Sequence, residues 1–134
     1  MISRSYKHSD ITDLILKGYF KVYNTLGFGF LEKVYENSLL LELKNAGLIC
    51  ASQYPMEVYY ENTKVGLYYA DIIVNQAVII EIKAAEALCE EHEAQLLNYL
   101  KASAIEVGLL LNFGRKAEFK RKVFSNEFKN HELS

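Results

Sequence analysis

The sequence predicts a mixed α/β fold, one sheet with helices packed on it, and three observations carry this. Hydrophobic residues make up 51% of the 134 residues and charged residues 24%, a balance that favours a packed core over disorder. Apolar residues recur every three or four positions in three segments and alternate or run together in the others. The segments follow the order helix, helix, three strands, helix, strand, strand. Three consecutive strands with short turns predict an antiparallel meander, and the strand after the long helix predicts a crossover into the same sheet.

The elements follow in order. Ile11, Leu14, Ile15, Gly18, Tyr19, Val22 and Leu26 share one face of a helix over 10–26, with Ser9 or Asp10 as its cap and Gly27 at its end. After a tight Gly27-Phe28-Gly29 link, a second helix spans about 30–45 and stops near Gly47. Pro55 opens a strand at 56–60, and residues 61–64 read as a turn. Strands follow at 65–74 and 78–83. Residues 88–103 have helical period, and 107–112 form an apolar strand ended by Phe113-Gly114. Residues 117–125 add a last strand with Phe119 and Val123 inward. One proline and seven glycines leave no linker, so 1–134 reads as a single domain with a core of about 10–125 and a polar, frayed tail at 126–134.

Composition excludes several classes. No apolar run approaches the roughly 18 residues of a membrane span, and the N-terminus lacks a signal peptide's apolar core. Two cysteines make no disulfide framework, and no CxxC or HExxH pair suggests zinc. A cytoplasmic location with no membrane partner is expected. The net charge of −2 argues against coating nucleic acid through bulk charge. Its distribution is uneven: Arg115, Lys116, Lys120, Arg121 and Lys122 face only Glu118 within 115–122, while Glu86, Glu90, Glu91 and Glu93 stand without Lys or Arg in 86–93. Either patch also reads as solvated surface.

Charges at positions where periodicity demands apolar residues are the informative ones. In Val78-Ile79-Ile80-Glu81-Ile82-Lys83 both faces begin apolar, so this is a central strand with Glu81 and Lys83 projecting together from its end. Asp71 sits in the covered run Tyr69 to Ile73. If 75–77 is a three-residue loop, Asp71 lies opposite Glu81 on one face; a two-residue loop would separate the acids. Two adjacent carboxylates repel, so they call for a divalent cation or for a structural Asp–Lys–Glu ion network. The carbonyl of Ile82, waters and a phosphate oxygen would complete an octahedral magnesium site, with Lys83 beside the attacking water. In the second helix, Glu32 and Glu36 share a stripe with Tyr35, Leu39, Leu43 and Ala46, placed either for the helix dipole or toward a metal cleft. In the third, Leu88, His92, Gln95 and Tyr99 share a stripe beside Leu96 and Leu100.

Together these residues resemble the PD-(D/E)xK nuclease superfamily: Tyr69-Ala70-Asp71 supplies its variable Asp, Glu81-Ile82-Lys83 its ExK signature, and Gln95-x-x-x-Tyr99 the pair of its helicase-associated branch. Gly29 to Tyr35 is similar to the pattern of the GxxExxY family, as are Ile80 to Ala84, His92 to Leu100 and Gly108 to Gly114. No proline precedes Asp71, a departure the superfamily tolerates. The resemblance implies a restriction-endonuclease-like core, helix–three strands–helix–strand, preceded here by an N-terminal helix. It implies Asp71 and Glu81 as ligands of magnesium or manganese, Lys83 as the catalytic lysine, and Glu32 as the helix acid with Glu36 as fallback. Gln95 and Tyr99 would orient the water, the lysine or a nucleotide. The expected activity is metal-dependent hydrolysis of DNA, with RNA as a second substrate class. Arg115, Lys116, Lys120 and Arg121 would contact the phosphate backbone, and a homodimer would suit cutting both strands. The alternative is a non-catalytic nuclease-fold module that binds nucleic acid or a protein.

Overall fold

A computed structural model of the chain describes residues 7–129. Helices α1 (Ser9–Leu26) and α2 (Glu32–Asn45) precede strands β1 (Cys50–Tyr60), β2 (Thr63–Val74) and β3 (Val78–Lys83). Helix α3 (Glu90–Lys101), β4 (Val107–Phe113), β5 (Ala117–Val123) and a 3-10 turn at Asn126–Phe128 complete the described residues. The five strands lie in the order β1-β2-β3-β4-β5. Only β3 and β4 are parallel, joined by the α3 crossover; the other neighbours are antiparallel.

The pleat sends alternate residues into two cores. Val78, Ile80 and Ile82 of β3 and Val107, Leu109 and Leu111 of β4 pack with Ile15, Tyr19, Tyr35, Leu39 and Leu43 of α1 and α2. Ile79 and Leu110 pack with Leu96 and Leu100 of α3 on the other face. Both faces of β3 and β4 are thus covered, which is why their sequences are near-continuous apolar runs. Each fully buried leucine or isoleucine contributes about 1.5–3 kcal/mol through removal from water.

The boundaries differ from the sequence reading in ways that have causes. β1 begins six residues before Met56 because it is an edge strand, where Pro55 can leave its missing N–H on the open side. The β1–β2 turn needs only Glu61 and Asn62, both with positive φ (49° and 63°), the two-residue hairpin geometry that follows strand twist. α1 is preceded by His8 in a left-handed conformation, with no side-chain cap from Ser9 or Asp10. α2 starts at Glu32, two residues later than expected. Cys89 and His92 form a reciprocal capping box at α3, which accounts for His92 without a metal. Phe119 and Val123 are 39% and 41% exposed rather than inward, since β5 is the other edge strand. Phe119 meets the Phe20 ring edge-on at 6.1 Å. The expected frayed tail is anchored at its start: Lys129 Nζ donates to the carbonyls of Ser103 (2.8 Å) and Ile105 (2.7 Å). Residues 130–134 of that tail lie outside the described residues.

Candidate active site

The β2–β3 loop fixes the relation between the two strand acids. Asn75, Gln76 and Ala77 form a three-residue turn closed by Val74 opposite Val78, and the register continues through Ile73–Ile79 and Ile72–Ile80. Backbone pairing stops there, one step before Asp71 and Glu81. The side chains take over: the Asp71 N–H donates to Glu81 Oε2 (2.9 Å), and the Ile82 N–H donates to Asp71 Oδ2 (2.8 Å). This clasp closes the sheet where β2 and β3 part and holds both carboxylates at one sheet end. Each spends one oxygen on the clasp and makes no hydrogen bond through the other among the described residues.

Burial pushes the Glu81 carboxyl up to about 8, and the charge of Asp71 adds to the shift. Asp71 is also raised, by burial first; Glu36 and Glu32 push the same way, while the Ile82 N–H and Lys83 oppose. Lys83 makes no direct ion pair with either acid among the described residues; its Nζ donates to Gln95 Oε1 (3.3 Å). Gln95 Nε2 in turn donates to the Tyr99 hydroxyl (2.9 Å), four residues on along α3. Burial, then the charge of Glu81, raises the Tyr99 phenol to about 12, so it stays protonated at neutral pH. Asp71 and Glu81 therefore form one hydrogen-bonded pair and Lys83, Gln95 and Tyr99 a second chain beside it, the charge of Lys83 being felt at both acids and that of both acids at Tyr99. Gln95 and Tyr99 border a cleft of about 610 Å³ between α3 and the β1–β2 arm; the two carboxylates lie beside this cleft rather than lining it.

The choice of Glu32 over Glu36 as the inward acid needs correction. Glu32 is exposed in the first turn of α2, although its charge is felt at both Asp71 and Glu81. Glu36, one turn deeper, is buried, paired with Lys33 Nζ (3.1 Å) and bonded by Gln53 Nε2 at 3.2 and 3.4 Å. The helical stripe contained both acids, but Glu32 sits where the helix has only begun to meet the sheet. The basic stretch also divides. Lys120 pairs with Leu110 and Lys122 with Gly108, both on the α3 face, and Lys122 is ion-paired with Glu93. Arg121 pairs with Leu109 on the α1 face and donates to the Lys7 carbonyl (2.6 Å). Alternation along β5 separates them, leaving Arg115 and Lys116 in the β4–β5 turn, at the same sheet end as Lys83.

Three further residues shape the site. Asn112, fully buried at the end of β4, holds both polar groups of Ala85 (2.9 Å each) and so fixes the chain two residues past Lys83. The signal was a polar residue closing an otherwise apolar strand. Gly114 belongs to the same contact, since a Cβ there would collide with the Ala85 carbonyl. Gln53 has φ +53° within β1 at the position facing Asp71, an uncommon backbone for a non-glycine residue, and this turns its amide onto Glu36.

The sequence profile of the PD-(D/E)XK nuclease superfamily matches residues 9–122. The chain belongs to that superfamily. The match is consistent with the GxxExxY assignment, and the helix, meander, crossover and sheet order are those of its restriction-endonuclease-like fold. The fold is similar to that of a solved protein titled "Crystal structure of SSO0001", with a TM-score of 0.56 and 20% identity over 69% of this chain. The chain spans 50% of the length of that protein. No curated protein matches the sequence. Within this superfamily member, the GxxExxY residues have structural reasons. Gly29 takes φ +112° at the turn into α2. The Tyr35 hydroxyl donates to the Gly27 carbonyl (2.6 Å) and accepts from the Phe30 N–H (3.1 Å), tying that turn to the core. No helix among the described residues is long and apolar enough to cross a membrane.

Proposed function

We propose that this chain is a divalent-metal-dependent nuclease hydrolysing phosphodiester bonds in DNA. The observation that carries the reading is the Asp71–Glu81 clasp: two raised, mutually repelling carboxylates at one sheet end, each with an oxygen uncommitted. Such a pair fits a hard cation that takes oxygen ligands, magnesium or manganese. No cluster of three or more His, Cys, Asp or Glu side chains forms a ready metal cage among the described residues. The fit is therefore to two carboxylates, Asp71 and Glu81, with the Ile82 carbonyl, the remaining positions belonging to water and phosphate oxygens.

A bound cation would supply charge neutralisation and a more acidic water. The chain's own residues would do the rest. Lys83, held by Gln95, places a positive charge beside the attacking water and the phosphate. Tyr99, protonated, holds Gln95 and hence the lysine. Glu36 and Glu32 add negative charge behind Asp71 and sharpen its demand for a cation. Arg115 and Lys116, at the same end of the sheet, would contact phosphates flanking the scissile bond. Replacing both by alanine should flatten the slope of log binding constant against log salt by roughly one to two, whereas Lys120→Ala changes it little. Equal effects at the three positions, read by fluorescence anisotropy across a salt series, would dissolve this assignment.

The experiment for the main reading is incubation of the purified protein with labelled DNA in magnesium or manganese, with an EDTA control and a Glu81→Gln variant. Cleavage that needs metal and disappears in the variant is expected. Binding without cleavage in either metal favours the second reading, a non-catalytic module, which the division of the basic residues over two faces supports.

A further inference from the structure

We infer that the loop between α1 and α2, with Arg115, forms a stacking rim for an unpaired nucleobase beside the scissile phosphate, so that the preferred ligand is single-stranded or frayed nucleic acid. The inference rests on the nuclease reading and narrows its substrate class.

The observations are independent of the carboxylates. Phe28 and Phe30 flank Gly29 and are 50% and 48% exposed. Exposed aromatic rings normally accompany a loosely held loop, because nothing is gained by fixing them. Here the loop is fixed from below by polar contacts: Tyr35 clasps Gly27 and Phe30, and its ring stacks on Phe113 at 4.2 Å and 13°. The facing wall is fixed in the same way. The Tyr23 hydroxyl lies 2.8 and 2.7 Å from the Gly114 and Arg115 carbonyls as donor, and Asn112 holds Ala85. Two hydrogen-bonded walls thus border an open cleft of about 220 Å³ lined by Phe28, Phe30 and Arg115 among others.

Chemistry selects the occupant. The Arg115 guanidinium lies 4.9 Å from the centre of the Phe28 ring, and Glu86 approaches its Nε at only 4.0 Å, so the cation is directed more by the ring than by an ion pair. A ring, a second ring and a stacked guanidinium match the flat face of a base, and Lys116 beside them matches its phosphate. Position agrees: Ala84 follows Lys83 directly on one wall, and Phe30 precedes Glu32 by two residues on the other. A base within a duplex has both faces covered by its neighbours, so only an unpaired or terminal one can stack here.

The test measures binding in EDTA, where nothing is cut. Fluorescence anisotropy compares a labelled single-stranded DNA, the same strand with abasic sites, and its duplex. The wild type should bind the intact single strand most tightly. Phe28→Ala and Phe30→Ala should each weaken that binding at least about fivefold, leave the abasic strand unaffected, and Phe28→Trp should restore it. Thermal unfolding should show only a small loss in either variant, the larger for Phe30→Ala, whose ring meets that of Tyr35 edge-on at 6.1 Å. Variants that bind the intact strand like wild type, or that lose the abasic strand equally, overturn the rim. So does unchanged nucleic-acid binding with loss of self-association, which would make the rim a protein contact. Cleavage by a wild type whose binding ignores the rings overturns the rim alone. Ring-dependent binding without cleavage in magnesium or manganese overturns the nuclease chemistry alone.

Discussion

Lys83→Ala is expected to lower metal-dependent cleavage of DNA by about 10²–10³-fold with DNA binding little changed, the size of effect seen when one preorganised charge is removed from a developing negative centre. The lysine forms no ion pair with Asp71 or Glu81 among the described residues, so its removal leaves no carboxylate stripped of a contact partner. Stability should therefore hold while kcat falls. Gln95→Ala acts one step removed, by releasing Lys83 from the one hydrogen bond it makes among the described residues, and should reduce kcat by roughly 10–100-fold, as loss of a supporting partner does. Tyr99→Phe removes only the hydroxyl that receives the Gln95 amide and should have the smallest effect of the three. Single-turnover kinetics separates the chemical step from binding. A Lys83 variant that cuts at the wild-type rate would remove the lysine from the mechanism.

The second large effect concerns stability and pH. Glu81, at about 8, and Asp71 are both raised in the folded chain, so the folded state holds protons that the unfolded state has released. The contribution of this pair to stability is then greatest below the ordinary carboxylate range and falls as pH climbs from about 4.5 through about 8, on the order of a few kcal/mol in total for the metal-free protein. Saturating magnesium or manganese should remove most of this fall, because the ion neutralises the pair that the loss of protons leaves charged. Asp71→Asn keeps an oxygen for the Ile82 N–H but removes one of the repelling charges. Its metal-free stability at pH 8 should equal wild type or exceed it by about 1 kcal/mol, and its stabilisation by metal should vanish. A structural ion network predicts the reverse, a loss of roughly 3–5 kcal/mol with no metal effect in the wild type. Thermal unfolding at pH 5 and pH 8, with and without metal, distinguishes the two.

Much of the architecture was legible because burial on both faces leaves a plain mark. β3 and β4 had to be central, since Val78 to Ile80 and Val107 to Leu111 offer no polar face to water. The register of Asp71 and Glu81 was legible only as a choice between two loop lengths; Asn75 and Gln76, at φ +51° and +52°, make the tight turn that the Ala77 N–H closes on the Val74 carbonyl, and Ala77 is the extra residue that sets Val74 opposite Val78. What the sequence hid lies at edges and ends. Alternation said that Lys120 and Arg121 diverge, but a run of like charges invites reading as one patch. The first two turns of α2 had two acids on one stripe, and periodicity cannot say how far along a helix burial begins. Gln53 was invisible because its role depends on a backbone conformation that glutamine seldom adopts. Tyr35 shows the opposite case: a motif residue whose ring and hydroxyl serve the loop beneath Phe28 and Phe30.

The central claim is that Asp71 and Glu81 form a divalent-cation site. Anomalous diffraction from a manganese-soaked crystal tests it most directly. One strong peak bound by the Asp71 and Glu81 carboxylates and the Ile82 carbonyl is expected, absent in crystals of Asp71→Asn. Manganese-dependent cleavage in solution together with no peak between the two carboxylates, or a peak unaffected by the substitution, would contradict it.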